Sequence, residues 1–264
     1  MDWTHWLLAG SAVLFIGIAK AGFGGGLGML VTPLCVLAFG PKTAIGILLP
    51  LLCLGDIFSL YHYWGKWRAD NLRFLLPGVI LGIVLGVQWI GRFSPQQLNL
   101  AIGIIAVLFV VFQIVRERIL RAEGEFAPNH VVGLPCGVGI GVTSTFAHGA
   151  GPVAAMFLMP QKLPKEVFVG TNVLLFFWVN LLKLPFFCVD RTLVDLPFFA
   201  RESLITQATL LTSLAYAPLV PLGVWLGVWL NRKFSERSFT GVIYAILLLT
   251  GTYLIFQGVA GPRN

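Results

Sequence analysis

The chain has 264 residues, of which 57% are hydrophobic and only 11% charged, with a formal net charge of +7 and a mean hydropathy of +0.87. A soluble domain needs a shell in which about a quarter of all residues are charged, so this composition excludes a water-soluble globule and implies lipid as the solvent. Nor is the basic excess a nucleic-acid footprint: it sits in short breaks between apolar blocks, at Lys66, Arg68 and Arg73, at Arg116, Arg118 and Arg121, and at Arg232, Lys233 and Arg237, where a membrane protein carries its orientation signal.

In chain order, residues 5–40 hold two short apolar runs separated by Ala21-Gly22-Phe23-Gly24-Gly25-Gly26-Leu27-Gly28. The first run resembles a signal peptide superficially, but Asp2 and no basic residue precede it, so it is expected to be a retained first helix. Segments 43–63, 72–91 and 97–115 are each long enough to cross about 30 Å of hydrocarbon as one helix. The first of them ends in interfacial aromatics, Tyr61, Tyr63, Trp64 and Trp67. A polar linker at 121–129 follows. Residues 131–160 repeat the plan of 5–40, with a break at Thr145-Phe146-Ala147-His148-Gly149-Ala150-Gly151-Pro152. Segments 166–187, 206–230 and 238–257 complete the set of single crossings. The cysteines, Cys35, Cys53, Cys136 and Cys188, lie in or beside apolar runs with no C-x-x-C pairing, so neither a disulfide nor a metal site is expected.

Glycine in a helix costs about 1 kcal/mol per residue relative to alanine, and irregular backbone at membrane depth survives only where protein or a wet cavity covers it. Each broken stretch is therefore expected to be a re-entrant hairpin or a pair of short helices, with its break turned from lipid.

The two breaks are related. A shift of 123 superposes Phe23 on Phe146, Gly26 on Gly149, Gly28 on Gly151, Pro41 on Pro164 and Lys42 on Lys165. A shift of 141 superposes Pro77 on Pro218, Gly82 on Gly223, Gly86 on Gly227, Phe93 on Phe234 and Ser94 on Ser235. The expected fold is an all-α polytopic membrane protein of two homologous repeats, each a Gly-broken helical hairpin plus three full crossings. The first repeat covers 1–120, a cytoplasmic linker 121–129, and the second 130–264. If each broken stretch returns to its own side, loops 64–73, 116–129, 161–165 and 231–237 share one face and most of the loop Lys/Arg residues. That places them in the cytoplasm, both termini outside the inner (plasma) membrane, and the two repeats in inverted orientation.

A Gly-rich break that opens a helix aims unpaired N–H groups and the positive end of the helix dipole at one point, which suits an anion. Gly24, Gly25, Gly26 and Gly28 from the first break, with Gly149 and Gly151 from the second, are the candidates. Glycines spaced four apart, Gly78, Gly82 and Gly86, instead fit tight helix crossing. Lys20 ends the first apolar run just before the break. An ionisable group at membrane depth is a functional candidate, although a lysine also snorkels readily to an interface. His148 lies within the second break beside Thr143, Ser144 and Thr145. It is placed to donate to an oxyanion or to sense protonation, and also to pack as an ordinary hydrogen-bonded histidine. The hydroxyls fit either an anion shell or a helix cap. Asp56 and Asn180 occupy similar places in the repeat, under a shift of 124. With Asn172 they are coupling candidates, and interhelical hydrogen bonds are the plain alternative. For Thr171, Asn172, Asn180 and Lys183, all on one segment, the structural role leads, and Asp56 stays open between the two.

No G-x-S-x-G, H-E-x-x-H, Walker A or paired-carboxylate motif occurs. An enzyme, a metal site and a cofactor are therefore not expected. Gly22-Phe23-Gly24-Gly25-Gly26-Leu27 mimics a dinucleotide fingerprint without the preceding strand that fingerprint needs.

Gly22-Phe23-Gly24-Gly25-Gly26-Leu27-Gly28, then Pro33, then Pro41-Lys42-Thr43-Ala44-Ile45-Gly46 resembles the opening motif of the TauE/SafE family. Gly149-x-Gly151-Pro152 and Pro164-Lys165-x-x-x-x-Gly170-Thr171-Asn172 resembles its repeat. The resemblance covers nearly the whole chain and implies a permease, usually an exporter, for sulfite, sulfoacetate or related organosulfonates. One departure bears on substrate: Ala147-His148 and Ala150 stand where a more uniform glycine run is expected.

The sequence thus predicts a secondary transporter for a small anion, with that anion and the bilayer as partners and no nucleic acid. A homo-oligomer is compatible with the chain. A passive anion channel using the same site is an alternative. So is a non-transporting membrane subunit or assembly factor of a redox or metal enzyme.

Overall fold

The computed structural model describes residues 3–20, 28–119, 127–189, 199, 202–233 and 236–260. Its helices are α1 (Trp3–Lys20), α2 (Gly28–Phe39), α3 (Pro41–His62), α4 (Asp70–Ile90), α5 (Pro95–Ile119), α6 (His130–Ala147), α7 (Gly151–Leu158), α8 (Lys165–Cys188), α9 (Gln207–Tyr216), α10 (Leu219–Lys233) and α11 (Glu236–Ala260). One 3-10 turn, Met159–Gln161, follows α7, and no strand occurs among the described residues.

Six of these helices are long and apolar enough to cross a membrane: α3, α4, the first 21 residues of α5, α6, α8 and the last 18 residues of α11. Five match the single crossings expected from hydropathy. The sixth, α6, belongs to the second broken stretch, whose arms are unequal: 18 residues in α6 against 8 in α7. At 1.5 Å per residue α6 spans about 27 Å, so this stretch is a full helix followed by a short one, not two short runs.

The segment 206–230 departs from expectation. Instead of one helix it forms α9 and α10, bent by 42°. Pro218 stands at the break and Pro221 in the first turn of α10. A proline lacks the N–H that an α-helix needs and crowds the carbonyl four residues back. The last turn of α9 tightens accordingly, with the Ala217 N–H donating to Leu214 O at 3.2 Å. Pro77, its partner in the repeat register, lies inside α4 with no second proline nearby, and α4 continues through it.

Helices pack here with backbone against backbone. A Cβ on Gly82 would lie 2.9 Å from Gly141 Cα, and one on Gly78 would lie 3.0 Å from Gly137 Cα. The α4–α6 crossing therefore has no room for a side chain on either helix, as expected for Gly78 and Gly82. Gly86, at the end of the same row, faces the side chain of Thr145. Gly17 of α1 meets Gly223 of α10 in the same way, and Gly103 of α5 meets Gly251 of α11. Such contacts let dispersion and weak polar terms hold helices together where lipid supplies no hydrophobic drive.

The pair α3 and α8 lies at the centre and runs antiparallel. At mid-helix the Asn180 Nδ2 amide donates to Asp56 Oδ2 at 2.6 Å, both side chains buried. At one end the loop after α3 grips α8. Lys66 O fills the place where a Cβ on Gly170 would sit, Arg68 N–H donates to Thr171 Oγ1 at 3.0 Å, and Lys66 pairs with Glu166 at 3.0 Å. Burial first, then the Glu166 carboxylate, raises the pKa of the Tyr63 hydroxyl beside this loop, with Lys66 opposing. At the other end the chain after α8 grips α3. Leu204 O fills the Cβ place of Gly46, Leu204 and Ile205 N–H both donate to Phe187 O at 2.9 Å, and Lys42 pairs with Glu202 at 3.5 Å.

Two stability measurements check this packing. Gly82→Ala or Gly141→Ala is expected to destabilise the protein by about 1–3 kcal/mol, because the added methyl meets backbone that cannot yield. Gly241→Ala, inside α11 with nothing within 4 Å of the new methyl, should not lower the thermal midpoint in detergent and, by its higher helix propensity, should raise it slightly. Asn180→Leu should cost about 1–3 kcal/mol by removing this donor from a buried carboxylate. The Asp56→Leu/Asn180→Leu double variant should recover part of that loss in a double-mutant cycle.

Candidate functional site

The second helix break is organised by three helices. Helix α8 starts after Pro164 and runs unbroken to Cys188, through Pro185 in its last turn. Asn180 and Lys183 stand three apart, hence on one face, and that face is turned into the protein. Lys183 is fully buried. Its Nζ donates to Ser144 Oγ at 2.9 Å and to Ser144 O at 3.2 Å, and lies 3.0 Å from His148 Nδ1. The Phe187 ring, one turn on, lies 5.9 Å from the ammonium.

Helix α6 ends at Ala147 because His148 adopts a left-handed conformation, φ 48° and ψ 28°. A non-glycine residue there costs about 1–2 kcal/mol, a strain that concentrates at functional sites. The turn folds two N–H groups back onto α6: His148 donates to Ser144 O at 3.0 Å and Gly149 to Thr143 O at 3.2 Å. The imidazole reaches the other way, to Ile45 O on α3, with Nε2 at 3.1 Å. A carbonyl can only accept, so Nε2 carries the proton. Nδ1 is then an acceptor, and the Lys183 ammonium supplies its hydrogen bond.

Helix α7 opens on Gly151-Pro152, with proline in the first turn where its missing N–H is not needed. Its first hydrogen bond runs from Ala154 N–H to Ala150 O at 3.0 Å. The N–H groups of Ala150, Gly151 and Val153 have no acceptor among the described residues. The start of α2 closes on this point. Thr32 Oγ1 donates to Ala147 O at 2.7 Å, and a Cβ on Gly149 would run into the Met29 sulfur. The opening turns of α2 and the break between α6 and α7 thus form one locus, with Ala147, Gly149 and Ala150 all buried.

The sequence-derived candidates distribute unevenly around it. Ser144, His148, Gly149 and Gly151 come together there. Gly28 is the first residue of α2, one residue before Met29. Lys20 is the last residue of α1, and its side chain lies outside the described residues, as do Gly24, Gly25 and Gly26 entirely. Thr143 and Thr145 lie in the last turns of α6, before the break. Their hydroxyls donate to the carbonyls of Gly139 and Gly141, each at 2.7 Å, and so neither caps α7. Asn172 donates to Phe168 O at 3.1 Å within its own helix, away from the Asp56–Asn180 bond. Asp56 and Asn180 join α3 to α8 by an interhelical hydrogen bond. His62 is exposed at the end of α3, against the Tyr63 ring.

Lys183 is the residue that the sequence reading undervalued. The argument applied to Lys20, that an ionisable group at membrane depth is a functional candidate, applies to it with equal force. The asparagine three residues earlier marks the polar face on which it stands.

The family model described as sulfite exporter TauE/SafE matches residues 9–254. The probable membrane transporter protein YjnA of Bacillus subtilis (strain 168) is 26% identical over 265 residues, covering 92% of this chain and 96% of that protein. No solved structure matches the chain. The family match runs from α1 to α11 and takes in the helix break just described, and on that ground the chain is a membrane transporter belonging to the sulfite exporter TauE/SafE family.

Proposed function

We propose that the protein is a secondary transporter that exports a small oxyanion, sulfite or an organosulfonate such as sulfoacetate, bound where the helix breaks converge. One observation carries this reading: three N–H groups at the opening of α7 have no acceptor, at a point where the start of α2 closes over the break. Ala150 is buried while Gly151 and Val153 are partly exposed; a buried donor left unmade costs about 1–3 kcal/mol, and the positive end of a helix dipole favours an anion in that position.

The packing supports a two-repeat plan. Helices that the repeat register equates lie in reciprocal pairs: α1 crosses α10 while α6 crosses α4, and α5 crosses α11. Asp56 and Asn180, equated by a shift of 124, meet each other. Inverted repeats placed this way would expose a central site alternately as one half rocks on the other. The basic loops, including Lys66 and Arg68, would face the cytoplasm, with both termini across the inner membrane. An exported anion then moves down an inside-negative potential worth about 2.3 kcal/mol per charge per 100 mV.

Purified protein in mild detergent, scanned for thermal stabilisation against sulfite, sulfate, thiosulfate, sulfoacetate, taurine, acetate and chloride, tests the site. A ligand at 100 times its Kd should add about 2.7 kcal/mol. Stabilisation is expected from a sulfur oxyanion and should weaken in His148→Ala. A well-folded sample indifferent to every anion would move the function to a non-transporting subunit. Proteoliposomes separate carrier from channel: unlabelled sulfite inside should accelerate entry of labelled sulfite, whereas a channel shows no such counterflow.

A further inference from the structure

Lys183 has a bearing on anion binding that the glycine breaks by themselves do not supply. Its ammonium has three protons, and the last turn of α6 with the break offers three acceptors: Ser144 O, Ser144 Oγ and His148 Nδ1. The first consequence is electrostatic. The break brings the negative end of α6 beside the positive end of α7, and the two ends offset each other for any ligand between them. A cation on Ser144 O, among the last carbonyls of α6, compensates the negative end and leaves the opening of α7 dominant.

The second consequence concerns donors. Both His148 nitrogens are engaged, Nε2 with Ile45 O and Nδ1 with Lys183, so the ring has no spare N–H for a ligand in this arrangement. Ser144 does have one. Its oxygen accepts from Lys183, and its own O–H has no acceptor among the described residues, although the residue is only 3% exposed. A hydroxyl that accepts from an ammonium is a stronger donor on its free side.

We propose that Lys183 is the charged determinant of the anion site, acting through the Ser144 hydroxyl, and that His148 is the residue that positions it. The ligand class is a tetrahedral or pyramidal oxyanion, with one oxygen on the Ser144 hydroxyl and others on the N–H groups that open α7. This rests on the reading of the break as an anion site. A lysine that serves instead to staple the left-handed turn would hold the same contacts, so the experiment has to separate charge from scaffolding.

The test compares wild type, Lys183→Met, Lys183→Arg and Ser144→Ala by the ligand-free thermal midpoint and by the affinity for sulfite from ligand-dependent stabilisation. Lys183→Met, close to lysine in shape without the charge, is expected to remain monodisperse and lose at least about tenfold in affinity. Lys183→Arg should recover most of that loss. Ser144→Ala should weaken sulfite binding with the fold intact, and adding it to Lys183→Met should cost little more, because the two act as one unit. If Lys183→Met fails to fold, Ser144→Ala, which leaves the lysine its contacts to Ser144 O and His148, decides alone. Wild-type affinity in Ser144→Ala or in folded Lys183→Met overturns the proposal. So does loss of affinity that follows loss of fold equally in the Met and Arg variants. A wild type that binds no oxyanion at all removes the anion-site reading, and this inference with it.

Discussion

An interrupted helix inside hydrocarbon strands backbone N–H and C=O groups that lipid cannot satisfy, and the arrangement around His148–Ala150 follows from that constraint. The end of α6 is covered by a left-handed turn that returns two N–H groups to its carbonyls, by the Thr32 hydroxyl on Ala147 O, and by the Lys183 ammonium on Ser144 O. These groups come from α2, α8 and the break itself, so the break requires all three elements in place. Strain at a non-glycine left-handed residue is tolerated because Ile45 and Lys183 hold the imidazole from both sides. The opening of α7 is not covered in this way. The proposed anion site rests on this asymmetry between a closed helix end and an open one.

Glycine serves this protein in two separate ways. In the α4–α6, α1–α10 and α5–α11 crossings its value is the missing Cβ, which lets backbones touch. At the second break it keeps Gly149 from meeting Met29, so the start of α2 can approach. Composition counts both kinds together; the row four apart, Gly78, Gly82 and Gly86, is what marks a crossing in the sequence.

The long apolar helices were legible because a continuous hydrophobic run is the one signal that lipid demands of a single span. The expected 43–63 and 166–187 lie within a few residues of Pro41–His62 and Lys165–Cys188. The bend at Pro218 was not legible from hydropathy, which sums transfer energies and is blind to a missing N–H. The proline pair was nonetheless in plain view. The hydroxyls of Thr143 and Thr145 fitted an anion shell or a helix cap, yet α6 runs on to Ala147 and both return to its own backbone. The Asp56–Asn180 contact could be anticipated from the repeat register, and the interhelical bond is what formed. Lys183 was harder, because five residues from a helix end a lysine can snorkel. Only the direction of the Asn180 face decides that it points inward.

The α3–α8 pair is held at its middle by a buried carboxylate–amide bond. Each end adds, to its backbone contacts at Gly170 or Gly46, an ion pair open to solvent, Lys66–Glu166 with side chains 50% and 70% exposed and Lys42–Glu202 with 38% and 79%. Exposed pairs of that kind hold by at most about 1 kcal/mol and yield to salt. Because the two buckles lie at opposite ends of a membrane-length pair, each belongs to a different electrolyte. The ionic strength on one face of the membrane therefore bears on the buckle on that face alone, and the backbone contacts at both ends stay in place.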